Sequence, residues 1–226
     1  VLLSRQCGPP IVMSVGEITI MKKAIILLFG LVSLITSWGT AGLALANEVH
    51  PAFASIGSLT SIPVGHAEYC QRRPNECQPT DPTRNVALDE ALWRELQEVN
   101  NHYNISITPV SDRDLYGVDE FWTYPVNGYG DCEDFAIGKR VALIERGWPP
   151  STLLLAVATQ PNGDGHAVLM VRTDRGDLIL DNQESLIKVW TDTPYTYLKR
   201  QSQAHAGQWV DILDGIGGAV TATAGY

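Results

Sequence analysis

The tripeptide Asp174-Arg175-Gly176 separates two apolar runs, 166–173 and 177–181, and reads as the turn of a β-hairpin. No other feature constrains the fold as much, because strands joined by so short a connection are antiparallel neighbours. The turn also sets parity. If Asp174 and Arg175 alone form the loop, Thr173 pairs with Gly176, and Asp181 faces Val168, diagonal to His166 on the same side of the sheet. A three-residue loop puts Asp181 on the other side.

The hairpin lies within a run of strands. Residues 152–159 are short, apolar and rich in Leu and Val; 187–190 and 209–212 are further strand candidates. Helices come earlier. Leu88, Leu92, Leu96 and Val99 recur at helical spacing and predict a helix from Val86 to about 101–104, with caps available in Thr80-Asp81-Pro82-Thr83. A second helix is predicted over 131–146, with Asp131 as N-cap, Asp134 completing an acidic capping box, and Gly147 as its stop. Residues 47–66 read as a loop or short strand. The irregular stretch 105–130, with Pro109, Gly117, Pro125, Gly128 and Gly130, has the character of a site-building loop. Helices first and antiparallel strands afterwards indicate an α+β fold, N-terminal helices packed on an antiparallel sheet.

The 226 residues suffice for one domain with extensions. Met21-Lys22-Lys23, the apolar run 24–37 and Ala44-Leu45-Ala46 have the form of a secretory signal peptide over 21–46, with Asn47 as the mature start and 1–20 an upstream extension outside the mature protein. Left uncleaved, the charge-free run 24–46 is long enough to anchor the chain in a bilayer. Either way the body, 47–226, is exported to the periplasm or beyond, and no other stretch is apolar enough to insert stably. From about 214 the tail is rich in small residues and reads as flexible. The formal charge is −9. Residues 1–46 carry three basic groups and one acid, so 47–226 holds −11. That balance, without a basic stripe, argues against nucleic acid as a partner.

Cys70 and Cys77 flank the polar loop Gln-Arg-Arg-Pro-Asn-Glu, and in an oxidising compartment they are expected to pair. Cys132 is then the cysteine left over in the mature chain, in Gly130-Asp131-Cys132-Glu133-Asp134. A cysteine in the first turn of a helix meets unsatisfied amides and the positive dipole end, which favour thiolate. His166 and Asp181 follow in the order that a nucleophile, its base and the base's orienter require. Asp131, Glu133 and Asp134 oppose a thiolate, so something positive must offset them. Ca²⁺, a hard ion that prefers oxygen ligands, is the natural choice, with Asp119 as a further ligand.

Several blocks carry a family resemblance. Tyr129-Gly-Asp-Cys-Glu-Asp-Phe-Ala-Ile-Gly-Lys-Arg140, Gly165-His-Ala-Val-Leu169 and Leu180-Asp-Asn182 are joined upstream by Leu96-Gln-Glu-Val-Asn-Asn-His-Tyr-Asn104 and Asp119-Glu-Phe-Trp-Thr-Tyr-Pro125. Downstream lie Tyr197 and Gln201-Ser202. Together, over about 63–212, they resemble the bacterial transglutaminase-like cysteine proteinases. The resemblance implies a papain-like core with the cysteine on a helix and the histidine and aspartate on an antiparallel sheet. It implies a Cys132-His166-Asp181 triad cleaving a protein substrate, with Trp122 or Asn104 adding a side-chain donor to the Cys132 amide in the oxyanion hole. It further implies calcium held partly by Asp131 and Glu133. The best-understood relatives are periplasmic enzymes that release large adhesins and so govern biofilm attachment, some restrained by an inner-membrane receptor that senses cyclic di-GMP. The cysteine pair of 63–77 departs from that branch. Acyl transfer to an amine by a transglutaminase or amidase uses the same triad. A calcium-binding interaction module with an incidental thiol is the non-enzymatic alternative.

Overall fold

The computed structural model describes residues 52–81 and 85–213. The leader, the upstream extension, the tail from 214 and the cap candidates Pro82 and Thr83 lie outside the described residues. The elements run β1 (Ile56–Thr60), α1 (Val64–Arg72), a 3₁₀ turn (Pro74–Cys77), α2 (Glu90–Ser106), β2 (Thr108–Pro109), α3 (Asp112–Tyr116), β3 (Tyr129–Gly130), α4 (Cys132–Glu145), β4 (Leu153–Thr159), β5 (Gly165–Thr173), β6 (Gly176–Leu180), β7 (Lys188–Val189), β8 (Thr196–Ser202) and β9 (His205–Ile212). This is the α+β, papain-like architecture. Its seven-stranded sheet has the order β1-β9-β8-β4-β5-β6-β7, and every pairing is antiparallel.

The hairpin turns with two residues. Thr173 pairs with Gly176 and Leu169 with Leu180, the register that puts Asp181 on the side of His166. Gly176 sits at φ 130°, a conformation side chains resist, and a Cβ there would meet the Ala52 carbonyl oxygen at 2.6 Å.

Strand alternation divides the core in two. Ala167, Leu169 and Val171 of β5, with Leu153, Leu155 and Val157 of β4, pack in one cluster with Leu96 and Val99 of α2 and Cys132, Ala136 and Ile137 of α4. Val168 and Met170 join Ala156, Ala158, Ile179, Trp190 and Tyr197 in the other. α2 and α4 approach closely because residue 138 is glycine: a Cβ there would lie 2.3 Å from Tyr103 Cε1.

Three sequence expectations shift. α2 begins at Glu90, because Asp89 caps it through Leu92 N at 2.8 Å while Val86 bridges to Thr173. α1 replaces part of an expected loop, and β8 stands where none was predicted. Cys70 and Cys77 are disulfide-bonded, with Cα atoms 5.6 Å apart. Their sulfurs lie near His66, but sulfurs bonded to each other are poor metal ligands. His66 is structural: it is buried and accepts from Trp209 Nε1 at 3.0 Å, and burial, aided by the Arg140 charge, lowers its pKa to about 3. Among the described residues no helix is long and apolar enough to cross a membrane.

Candidate active site

Cys132 opens α4, directly after Asp131 at the N-cap position. Its buried Sγ lies 3.2 Å from Glu133 Oε2 and accepts the Ala167 amide at 3.3 Å. Helix start and strand β5 therefore meet at the sulfur, one residue from His166. The buried His166 ring places Nε2 2.9 Å from Asp181 Oδ1. Nδ1 is buried with no hydrogen-bond partner among the described residues.

Asp181 is held from several sides. Oδ1 also accepts from Gln183 N at 2.9 Å, and Oδ2 accepts from Tyr195 OH at 2.5 Å. Burial opposes its charge, but the hydrogen bonds and charge of His166 and the other donors bring its carboxyl below the ordinary range. Tyr195 also sets its ring against His166, with centroids 5.1 Å apart. No spacing in the sequence marks this residue. The loop after Asp181 is tied to α2: Asn104 Nδ2 donates to Asp181 O at 2.8 Å and Glu184 O at 3.3 Å. Asn100 Nδ2 donates to Glu184 O at 3.4 Å and Ser185 O at 3.2 Å. Lys139 Nζ donates to Asn100 Oδ1 at 2.8 Å, and burial, against the pull of Asp181, lowers its pKa to about 7.

Both expected oxyanion donors are engaged elsewhere. Trp122 is fully buried and gives its indole N–H to Glu120 Oε2 at 3.1 Å, while the amide of Asn104 is spent on the two carbonyls above. Trp122 is a core residue against His66 and Trp209.

Beside the cysteine lies a cluster of acids. One carboxylate oxygen from each of Asp112, Asp131 and Asp134 lies within 4.8 Å of the other two. Asp112 Oδ1, Asp131 Oδ1 and Asp134 Oδ2 are buried and make no hydrogen bond among the described residues. The acidic capping box does not form. Asp131 makes no side-chain cap bond, and its Oδ2 accepts from Asp112 N at 3.4 Å. Asp119 is 45% exposed and ion-paired with Arg113, and does not belong to this group of three. Asp112, which resembles any acid at a helix start, stands in the cluster without having been anticipated.

The acids crowd one another's charge. Burial, with the Asp112 charge, raises Asp131 to about 7. Burial, with the Asp131 charge, raises Asp134 to about 9 and lifts Glu133 well above its usual value. Burial likewise raises Asp112. Three acids that converge within 4.8 Å, each with one buried oxygen lacking a hydrogen bond, fit a hard divalent cation, calcium above all.

Solved structures of LapG from Legionella pneumophila are similar. The calcium-bound form is 28% identical, over 53% of this chain and 68% of that one, with a TM-score of 0.46. A second LapG structure is 30% identical, over 52% and 68%, at 0.44, and an EGTA-treated form is 27% identical, over 55% and 74%, at 0.45. Curated proteins give no match. The family model of the bacterial transglutaminase-like cysteine proteinases (BTLCP) matches residues 56–216, a span that holds the cysteine helix, the hairpin and the acidic cluster. The chain belongs to the bacterial transglutaminase-like cysteine proteinase family and is a cysteine peptidase.

Proposed function

We propose that this peptidase is exported to the periplasm and cleaves a protein substrate with Cys132 as nucleophile, His166 as base and Asp181 as the group that orients the base. The observation that carries the reading is the junction of three elements: Sγ of Cys132 on the Ala167 amide, and the adjacent His166 on Asp181 at 2.9 Å. With Nε2 on Asp181, Nδ1, which has no hydrogen-bond partner among the described residues, is the ring nitrogen left to take the thiol proton. The thiolate attacks the scissile carbonyl, and His166 returns the proton to the leaving amine. Water, deprotonated by the same nitrogen, then hydrolyses the thioester. With Trp122 and Asn104 engaged, the oxyanion falls to the Cys132 amide and its neighbours at the start of α4.

Asp112, Asp131 and Asp134 would hold calcium, and Glu133, 3.2 Å from the sulfur, would complete the acidic wall. A bound calcium ion supplies positive charge beside the thiolate, which the carboxylates otherwise disfavour. Export is supported by the Cys70–Cys77 disulfide and by the leader-like sequence of 21–46. The family resemblance points to a large cell-surface adhesin as substrate and to an inner-membrane receptor as regulator.

The test is incubation of the full chain with an adhesin fragment, with calcium or EGTA, read by mass spectrometry. Calcium-dependent cleavage lost in Cys132→Ala and His166→Ala supports the reading. Mass addition without cleavage would make the enzyme a transglutaminase. Iodoacetamide labelling of Cys132 that ignores His166→Ala would sink the triad.

A further inference from the structure

The loop inside the disulfide, Gln71-Arg72-Arg73-Pro74-Asn75-Glu76, has no part in the proposed chemistry, yet its charged residues all reach one segment, 121–124. Arg72 Nη2 donates to Trp122 O at 2.7 Å, and the same guanidinium lies 4.1 Å from the centroid of the Phe121 ring. The guanidinium of Arg73 lies 4.1 Å from the centroid of the Tyr124 ring. Tyr124 OH donates to Glu76 Oε1 at 2.5 Å, and Tyr69 OH donates to the other oxygen of Glu76.

The opposite edge of the segment faces the acids. Phe121 N donates to Asp112 Oδ2, and Thr123 N donates to Asp134 Oδ1 at 2.9 Å. Each carboxylate is thus gripped by one oxygen. The oxygens left over, Asp112 Oδ1 and Asp134 Oδ2, are two of the three partnerless ones in the cluster. An amide that fixes one oxygen of a carboxylate fixes the direction of the other, which is how an outer shell tunes a metal site.

We propose that the disulfide loop is a clasp that positions the cation site: Arg72, Arg73 and Glu76, held by the Cys70–Cys77 bond, fix segment 121–124, and that segment aims Asp112 and Asp134 at the metal. The clasp rests on the calcium reading given above. Cys70, Cys77 and the residues between them are positioning residues. They touch neither substrate nor metal, and they set calcium affinity from the far side of the segment.

The experiment is calcium titration of the full chain by calorimetry, in buffer without reductant. Wild type is compared with Cys70→Ser/Cys77→Ser, Glu76→Ala, Glu76→Gln and Tyr124→Phe, with far-UV circular dichroism on each. The serine pair and Glu76→Ala should bind calcium about tenfold or more weakly. Tyr124→Phe, which deletes one hydroxyl and keeps the ring under Arg73, should lose about three- to tenfold. Glu76→Gln retains an oxygen for Tyr124 and should recover much of what Glu76→Ala loses. Wild-type affinity in folded Glu76→Ala and Tyr124→Phe would overturn the clasp while leaving the metal site standing. Absence of calcium binding by wild type, unchanged in Asp134→Asn, would overturn the metal site itself and the clasp with it.

Discussion

Asp134→Asn should make the metal-free protein more stable, although it removes a proposed metal ligand. Asp134 is fully buried, and its carboxyl is raised from 3.8 to about 9. At pH 7 the folded protein keeps a proton that the unfolded chain releases. The gap of about 3 pH units, at ~1.36 kcal/mol each, sets a ceiling of about 4 kcal/mol on that cost. Water entry and small shifts of the neighbouring acids bring the realised value to ~2 kcal/mol. Asparagine has no proton to take up on folding and retains an oxygen for Thr123 N, now 2.9 Å from Asp134 Oδ1. The variant in EGTA should therefore melt ~4–8 °C above wild type at pH 7. The sign follows from proton counts. Between pH 3.8 and about 9 this site binds more protons in the native state than in the unfolded state, so its contribution to wild-type stability, read as wild type minus variant, falls as pH rises. Calcium should raise the melting temperature of wild type and leave that of the variant nearly unmoved. Scanning calorimetry at pH 5, 7 and 8.5, with EGTA and with calcium, measures all of this. A variant that melts below wild type in EGTA at pH 7 would refute the argument, as would a stability gap between variant and wild type that shrinks as pH rises across that range.

Other outcomes follow from the same geometry. Asp181→Asn should cut kcat by about 10³–10⁴ with little change in KM, because His166 loses the acceptor that fixes its tautomer; steady-state kinetics on a cleaved adhesin peptide would show it. One glycine inserted between Asp174 and Arg175 should abolish activity while the far-UV spectrum persists, since the two-residue turn sets the parity of Asp181. Lys139→Met isolates a second buried charge. Lys139 titrates near 7 in the fold and 10.5 outside it, so the unfolded state binds the extra proton between those values. Wild type should gain stability relative to Lys139→Met as pH rises through that window, measured by urea unfolding.

What was legible in the sequence follows what was apolar. β4, β5 and β6 are nearly continuous runs of buried Val, Leu, Ile and Ala, and they lie where periodicity put them. β8 was invisible because its buried residues are Tyr197, Arg200 and Gln201, of which two are polar. α1 buries Gly65, His66 and Tyr69, a face with no aliphatic residue to reveal it. The hairpin arithmetic left two registers open, and the two-residue turn selects the one that brings Asp181 to the side of His166. The acids were harder. Asp131, Glu133 and Asp134 announced themselves by adjacency to Cys132, but Asp112 reaches the cluster through tertiary folding across the 105–130 stretch. Trp122 matched a family pattern, and its indole is nonetheless bound to Glu120, a contact that depends on chain path alone.

The grip of α2 on the loop after Asp181 has an evolutionary consequence. Asn100 and Asn104 hold that loop by the backbone oxygens of Asp181, Glu184 and Ser185, atoms that every amino acid possesses. Substitutions at 184 and 185 leave those backbone acceptors in place, although the Glu184 carboxylate also accepts from Leu186 N at 3.1 Å and from Lys188 Nζ at 2.6 Å. Sequence can therefore drift at these positions while the backbone that carries Asp181 stays tied to α2, and the two asparagines, distant in sequence, are where that tolerance ends.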